Sequence, residues 1–277
     1  QAIYGRHTTT SCAHGTVINL RLTPCRGTRL SVTTAEKSAQ IESSTLGERY
    51  YALIQRLRAA EARFGRPEGG TCLVAISKTH PAQAVRKVAA FGQMDFGENQ
   101  VQDALSKMEH LSDLKLTWHF VGPIQSNKCR DIAHYFDWVH SVDRLKIARR
   151  LSELRPTGAD PLNILLQVNL QNETTKSGIS VNAVSDLTGA VKQLSNIHLR
   201  GLMAIPSPEK DFQRQRAVFA SLRELSETIN QEQQTAMDCL SMGMTDDMEA
   251  AVAEGATHVR IGTAIFGPRQ KRQPQNL

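Results

Sequence analysis

Two basic residues stand at the ends of short apolar segments, one early in the chain and one near its end. Lys78 follows the apolar stretch that begins at Cys72, and Arg260 lies in the segment His258-Val-Arg-Ile-Gly-Thr263. A lysine at the end of a buried strand can be desolvated enough to become a neutral amine, the form that condenses with an aldehyde. Taken alone, Lys78 would more often be an ordinary solvated loop lysine, so the residues around it decide its interpretation.

Arg260 and the turn that follows it supply this context. An arginine can donate a hydrogen bond to a pyridine nitrogen, and the backbone amides of a turn such as Gly262-Thr263 can bind a phosphate. An aldehyde, a pyridine ring and a phosphate occur together in pyridoxal phosphate (PLP). The two cations therefore indicate a PLP site, provided that the fold brings them together.

The elements that must position these residues alternate along the chain. Leu46, Tyr50, Leu53 and Leu57 recur at helical spacing and predict a helix capped by Ser43-Ser-Thr45. Beyond it, eight short segments that are apolar on both faces alternate with helical patterns, as is typical of a buried parallel sheet. The predicted strands are Cys72–Ser77, Met94–Gly97, Thr117–Val121, Trp138–Ser141, Asn163–Asn169, Leu199–Ile205, Cys239–Ser241 and His258–Ile261.

This order predicts an α/β fold, a (β/α)8 TIM barrel preceded by an N-terminal helix. A doubly wound open sheet is the alternative, but no G-x-G-x-x-G follows the first strand. In such barrels the chemistry lies at the C-terminal strand ends, with phosphate often bound after strands 7 and 8, where Gly243 and Gly262 occur. The last strand closes beside the first, so we expect Lys78 and Arg260 to face one planar ligand.

Composition narrows the function classes. The net charge of +6 arises from an arginine-rich start and a basic end, so the body is near neutral, and with 5% aromatic residues it does not predict nucleic-acid binding. No apolar run is long enough to span a membrane. The five cysteines are scattered without a C-x-x-C pair, which argues against disulfides and zinc and favours a reducing, cytoplasmic location.

The chain divides into three predicted segments. Residues 1–43 are rich in Thr, Ser and Arg, a composition typical of a transit peptide, while the initial Gln equally indicates a segment foreign to the natural protein. We expect this extension to be disordered or non-native. Residues 44–268 form the predicted PLP-binding barrel, and residues 269–277 a basic tail.

The body of the chain resembles a known family over residues 44–268. The most specific match is Trp118-His-Phe-Val-Gly-Pro-Ile-Gln-Ser-Asn-Lys-Cys-Arg-Asp-Ile132, supported by Ser77-Lys-Thr79, Ser241-Met-Gly-Met-Thr-Asp-Asp-Met-Glu249 and Val259-Arg-Ile-Gly-Thr-Ala-Ile-Phe-Gly267. These motifs, in this order, are similar to those of the PLP homeostasis proteins. That family has the fold of the N-terminal barrel of alanine racemase.

The resemblance implies a role for each site residue. Lys78 would form the internal aldimine with the cofactor's aldehyde, and Arg260 would bind the pyridine nitrogen. The remaining residues would bind the phosphate or flank the ring: the phosphate by Ser241, Gly262 and Thr263 with the amide of Gly243, and the ring by Asn99 and Met203. No metal is expected, since Asp246, Asp247 and Glu249 fit a helix start better than a metal site.

The implied function is reversible PLP binding that buffers the cofactor or delivers it to apo-enzymes, by a protein expected to be a monomer. The alternative is a barrel-only, PLP-dependent amino-acid racemase. A racemase needs a second acid/base, for which His119 and Tyr135 are candidates, although both fit structural roles better. The sequence ends soon after the eighth strand, which leaves no room for the C-terminal domain of alanine racemases. Lys176 is a candidate second docking site for PLP.

Overall fold

The computed structural model describes residues 34–171, 173 and 177–268, with side chains from residue 45 onward. The strands are β1 Cys72–Ile76, β2 Asp95–Glu98, β3 Thr117–Phe120, β4 Trp138–Val142, β5 Leu162–Asn169, β6 Ile179–Ser180, β7 Ile197–Ala204, β8 Cys239–Ser241 and β9 His258–Ile261. Eight of them run parallel and form a closed barrel in the order β4-β3-β2-β1-β9-β8-β7-β5, and β4 pairs with β5 to close it. The short strand β6 pairs with β5 outside this ring.

Helices cover the outside of the barrel and confirm the predicted TIM-barrel fold. Neighbouring strands are parallel, so the chain must return to the same end of the barrel before each new strand begins. The helices provide these crossovers. The α-helices are α1 Thr34–Arg63, α2 Ala82–Ala89, α3 Val101–His110, α4 Cys129–Tyr135, α5 Leu145–Leu154, α6 Val184–Val191, α7 Phe212–Gln233, α8 Met248–Ala253 and α9 Thr263–Phe266. Two 3-10 turns, Ser126–Lys128 and Val181–Ala183, precede α4 and α6.

The structure differs from the sequence prediction at the start of the first helix, in one added strand and by one or two residues at several strand ends. Helix α1 begins at Thr34, upstream of the predicted cap at Ser43–Thr45. Residues 35–42 contain neither Gly nor Pro and are mostly good helix formers, so nothing in the sequence stops the helix there. The short strand β6 was not predicted, because two residues carry no period that a sequence pattern can reveal.

The strands bury two different layers of side chains. Residues facing the helices are apolar and belong to the main core, as Phe96, Phe120 and Leu166 do. Residues facing the inside of the ring form a small separate cluster of Leu165, Met203 and Cys239, packed against Trp138. The ring of Trp138 also lies 5.0 Å from that of the buried His258, so the barrel interior mixes apolar and polar groups.

Several predictions concern residues outside the described ranges. The basic tail 269–277, most of the 1–43 extension and Lys176 all lie there. Within the described residues, no helix has both the length and the apolar character that a membrane crossing needs. In the same part of the chain, no cluster of three His, Cys, Asp or Glu side chains is placed to hold a metal ion.

Candidate functional site

A cavity of about 250 Å³ opens at the C-terminal end of the barrel. This lies just below the range typical of drug-sized ligands and suits a ligand with a single ring. Five of the predicted site residues line the cavity: Lys78, Asn99, Arg260, Gly262 and Thr263. Lys78 follows β1 and Arg260 lies on β9, and these two strands are paired directly, so barrel closure brings the two cations to one cavity.

Lys78 lies on a tight turn immediately beyond β1. The amide of His80 donates to the carbonyl of Ser77 at 3.0 Å and closes the turn. Thr79 has φ +68°, in the left-handed region that β-branched residues rarely adopt. The strain is held at the residue next to the half-buried lysine, as is common at ligand sites.

A buried ion pair anchors this turn from below. Ser77 Oγ donates to Glu98 Oε1 at 2.6 Å, and Lys107 Nζ donates to the Ser77 carbonyl at 2.8 Å and pairs with Glu98. Glu98 and Lys107 are 0% and 8% exposed. Burial raises the pKa of Glu98, whereas the charge of Lys107 and the Ser77 hydrogen bond lower it. The turn that presents Lys78 is therefore tied to β2 and α3.

Arg260 is held inside the barrel wall. Its Nη1 donates to Ser241 Oγ at 2.7 Å and its Nη2 to the carbonyl of Ala204 at 3.0 Å. Burial lowers the pKa of Arg260 to about 10, and Asp247 opposes this shift, so the guanidinium stays charged at neutral pH. Each Nη carries a second hydrogen, which leaves donors for a ligand in the cavity.

Glycines allow the strand ends to approach one another closely around the cavity. A Cβ on Gly262 would lie 2.9 Å from the Ile76 carbonyl, so only glycine lets the turn after β9 pack against the end of β1. A Cβ on Gly122 would lie 2.2 Å from the Asn99 carbonyl, which fixes the loop after β3 against Asn99. Gly262 is the N-cap of α9, and the exposed Thr263 is its first residue.

Three other predicted residues lie beneath the cavity and do not line it. Met203 is 0% exposed in the interior cluster, and Ser241 is 0% exposed with its hydroxyl bound to Arg260. Gly243 is buried with φ +93°, and its carbonyl accepts from the Arg260 amide at 2.9 Å. Ser241 and Gly243 support Arg260 directly, whereas Met203 packs within the interior cluster. The ligand contacts of all three residues remain predictions.

The two candidate second acid/bases of a racemase lie away from the cavity. His119 is 0% exposed inside the barrel, and its Nε2 lies 3.0 Å from Asp95 Oδ1. Tyr135 is 56% exposed at the end of α4. The acidic cluster after β8 has structural partners: Asp247 accepts from the Met244 amide at 2.5 Å, and Glu249 pairs with Arg56 of α1.

The cavity also has a rim that sequence reasoning missed. His80, Pro123, Ile205 and Met244 line it, and each comes from a loop after a strand. His80 stacks on Phe266 of α9 with the ring centroids 4.9 Å apart. The available signal was position alone, since Ile205 ends a predicted strand and the other three residues follow predicted strand ends by two or three positions.

Comparisons with known proteins agree with this fold. The family described as "Alanine racemase, N-terminal domain" matches residues 50–270. The chain is 54% identical over 231 residues to the pyridoxal phosphate homeostasis protein of Pseudomonas aeruginosa, covering 83% of this chain and 99% of that protein. It is 47% identical over 219 residues to the protein of the same name from Escherichia coli K12, covering 77% of this chain and 92% of that one.

Solved structures give the same result. The structure of PipY from Synechococcus elongatus PCC7942 with PLP bound is 38% identical, with a TM-score of 0.72, over 80% of this chain and all of PipY. Alanine racemase from Corynebacterium glutamicum, at 16% identity and a TM-score of 0.57, shares the fold alone. The fold and site define a barrel of the alanine racemase N-terminal type. Within that class, the chain belongs to the family of pyridoxal phosphate homeostasis proteins.

Proposed function

We propose that this protein binds PLP reversibly through Lys78 and serves in PLP homeostasis, as its relatives' name states for them. The observation that carries the proposal is the meeting of Lys78 and Arg260, from paired strands, at one cavity. One residue supplies a primary amine and the other a charged donor. Both are needed to hold a planar ligand that has an aldehyde at one position and a ring nitrogen at another.

The residues present fit this ligand. PLP supplies an aldehyde that condenses reversibly with a primary amine, and it carries a pyridine ring and a phosphate. Lys78 provides the amine, Arg260 donates toward the pyridine nitrogen, and Gly262 and Thr263 offer the phosphate an approachable backbone at a helix start. Asn99 lines the cavity and would flank the ring, and the buried Met203 would flank it from the barrel interior.

Arginine at the pyridine nitrogen suits carrier or racemase-like chemistry better than transamination. A carboxylate at that position would keep the nitrogen protonated and make the ring a strong electron sink. The guanidinium of Arg260 remains charged and donates a hydrogen bond instead, which disfavours protonation of the ring. Neither His119 nor Tyr135 lines the cavity as a second acid/base.

The finer points of the proposal concern where the cofactor goes. The protein would act as a cytoplasmic monomer, and the bond to Lys78 would open when water or an incoming amine attacks it. The released PLP would then reach apo-enzymes that require it. Nucleic acid and membranes have no part in this function.

A transfer experiment tests the proposal. The PLP-loaded protein is mixed with a PLP-dependent apo-enzyme, either directly or across a dialysis membrane, and the recovery of enzyme activity is followed. We expect recovery in both arrangements, and none from Lys78→Ala carried through the same loading and desalting. Failure of the loaded protein to activate the apo-enzyme in either arrangement would contradict delivery, and sustained interconversion of amino-acid enantiomers would support a racemase instead.

A further inference from the structure

A continuous chain of hydrogen bonds leads from the pocket arginine through the barrel interior to the opposite end of the sheet. Arg260 Nη1 donates to Ser241 Oγ, which lies 2.8 Å from His140 Nδ1. His140 Nε2 lies 2.9 Å from His119 Nδ1, and His119 Nε2 lies 3.0 Å from Asp95 Oδ1. The three middle residues are 0% exposed, whereas the Asp95 side chain is 31% exposed at the start of β2.

The chemistry of these groups decides which atom donates at each link when both histidines are neutral. The Asp95 carboxylate can only accept, so His119 carries its proton on Nε2 and accepts through Nδ1. His140 must then donate through Nε2 and accept through Nδ1. The Ser241 hydroxyl therefore donates to His140 and accepts from Arg260, so every donor in the chain points away from the pocket.

The surroundings keep His140, in the middle of the chain, uncharged. Burial lowers the pKa of His140 well below its ordinary value, and His119, His258 and Arg260 lower it further. At the neighbouring His258, burial and the positive charge of Arg200 lower the pKa, whereas the Asp95 carboxylate raises it. The guanidinium of Arg260 and the carboxylate of Asp95 stand at the two ends of the chain.

We propose that His140 and His119 are positioning residues, whose fixed tautomers turn the Ser241 hydroxyl toward His140 and make its oxygen an acceptor for Arg260. The inference rests on the proposed PLP function and deepens it. Ser241 then orients the guanidinium for the ring nitrogen and cannot donate its hydroxyl proton to the ligand phosphate. The phosphate is left to the turn at Gly262 and Thr263.

Paired ligands separate this role from direct phosphate binding. We would measure the affinities of PLP and of pyridoxal, which lacks the phosphate, for the wild type, Ser241→Ala and His140→Phe. Loss of a buried hydrogen-bond partner that positions Arg260 should lower the affinity for both ligands by about tenfold and leave the ratio of the two affinities unchanged. Loss of a group that contacted the phosphate would lower the affinity for PLP but not the affinity for pyridoxal.

The barrel interior offers a matched control. The ring of His258 lies 5.8 Å from that of His140 and is also buried, but its Nδ1 is bound to Thr257 Oγ1 and is not part of the chain. His258→Phe should leave both affinities unchanged. His140→Gln, which keeps one acceptor and one donor, should recover most of the loss seen in His140→Phe.

Histidine 15N spectra of the wild-type protein without ligand test the same inference independently of any variant's folding. We expect His119 and His140 to be neutral rings with the proton on Nε2. A proton on His140 Nδ1 would overturn the inference. So would a Ser241→Ala variant that loses affinity for PLP but not for pyridoxal. If the wild type bound neither ligand, the proposed function would fail, and the 15N spectra would still decide whether the directed chain exists.

Discussion

The two cations of the pocket are presented in opposite ways. Lys78 is half-buried one position beyond Ser77, on a turn whose next residue has a left-handed backbone. Arg260 lies within β9, is 6% exposed, and has both terminal nitrogens bound to the barrel. A group that forms and breaks a covalent bond needs room to move, whereas a group that recognises a ring nitrogen benefits from a fixed direction. Each presentation rests on its own buried polar network, which makes the comparison testable.

The largest expected effect comes from breaking the network under Lys78. Lys107→Met leaves Glu98 as a buried carboxylate without its cation, which should lower the free energy of unfolding by about 3–5 kcal/mol. Urea unfolding measures this loss. The double variant Lys107→Met/Glu98→Gln is the matched control and should recover much of it. A single variant as stable as the wild type would show that the ion pair does not anchor the turn.

Loss of directional bonding at Arg260 should have the largest effect on ligand affinity. Arg260→Lys keeps the charge but cannot reach Ser241 and Ala204 with two planar donors at once. We expect PLP affinity to fall by about tenfold, the equivalent of one charged hydrogen bond. Absorbance titration measures it. An affinity equal to the wild type's would mean that charge alone matters at this position.

Acid should weaken the interior beneath Arg260 through His258. Burial lowers the pKa of His258 from 6.5 to about 4. Below pH 6.5 the unfolded chain therefore binds a proton that the folded protein does not, so stability falls as the pH drops toward 4. At pH 4.5 the loss from this residue should be about 2 kcal/mol relative to pH 7. Urea unfolding of His258→Asn should show a correspondingly shallower pH dependence, and an unchanged slope would contradict this origin.

The smallest expected effect concerns the strain beside Lys78. Thr79→Gly removes a left-handed penalty of about 1–2 kcal/mol but adds backbone entropy to the unfolded state, for a net gain of at most about 1 kcal/mol. Thr79→Ala keeps a Cβ and should show no such gain. Thermal unfolding distinguishes the two variants. A glycine variant less stable than the alanine variant would show that Thr79 is not strained.

The features that depend on the order of strands along the chain can be predicted from the sequence. Lys78 and Arg260 were predicted to meet because strand ends of a closed barrel share one face, and an apolar run ending in a cation marks such an end. Asn99, Gly262 and Thr263 followed from the same rule and the resemblance. The sequence does not predict the buried pair of Glu98 and Lys107. Lys107 lies within a helical pattern, and a charged residue there gives no sign that it points inward.

The histidine chain was beyond sequence reasoning for a related reason. His119, His140 and Ser241 lie on three separate strands, and their contact depends on the register with which β3, β4 and β8 face the interior. His119 was expected to be structural, and its partners could not be named from spacing. Ser241 was assigned to the phosphate by resemblance alone, whereas its hydroxyl is bound to Arg260 and His140.

The central claim is that Lys78 is the covalent anchor of PLP. The direct measurement is the visible absorbance of the PLP-treated protein before and after borohydride, followed by peptide mass mapping, for the wild type, Lys78→Ala and Lys107→Met/Glu98→Gln. We predict a yellow band that borohydride converts into a permanent adduct on Lys78. The band should be absent from Lys78→Ala and retained when the buried Lys107 is replaced. A protein that stays colourless with PLP, or an adduct located on a different lysine, would contradict the claim.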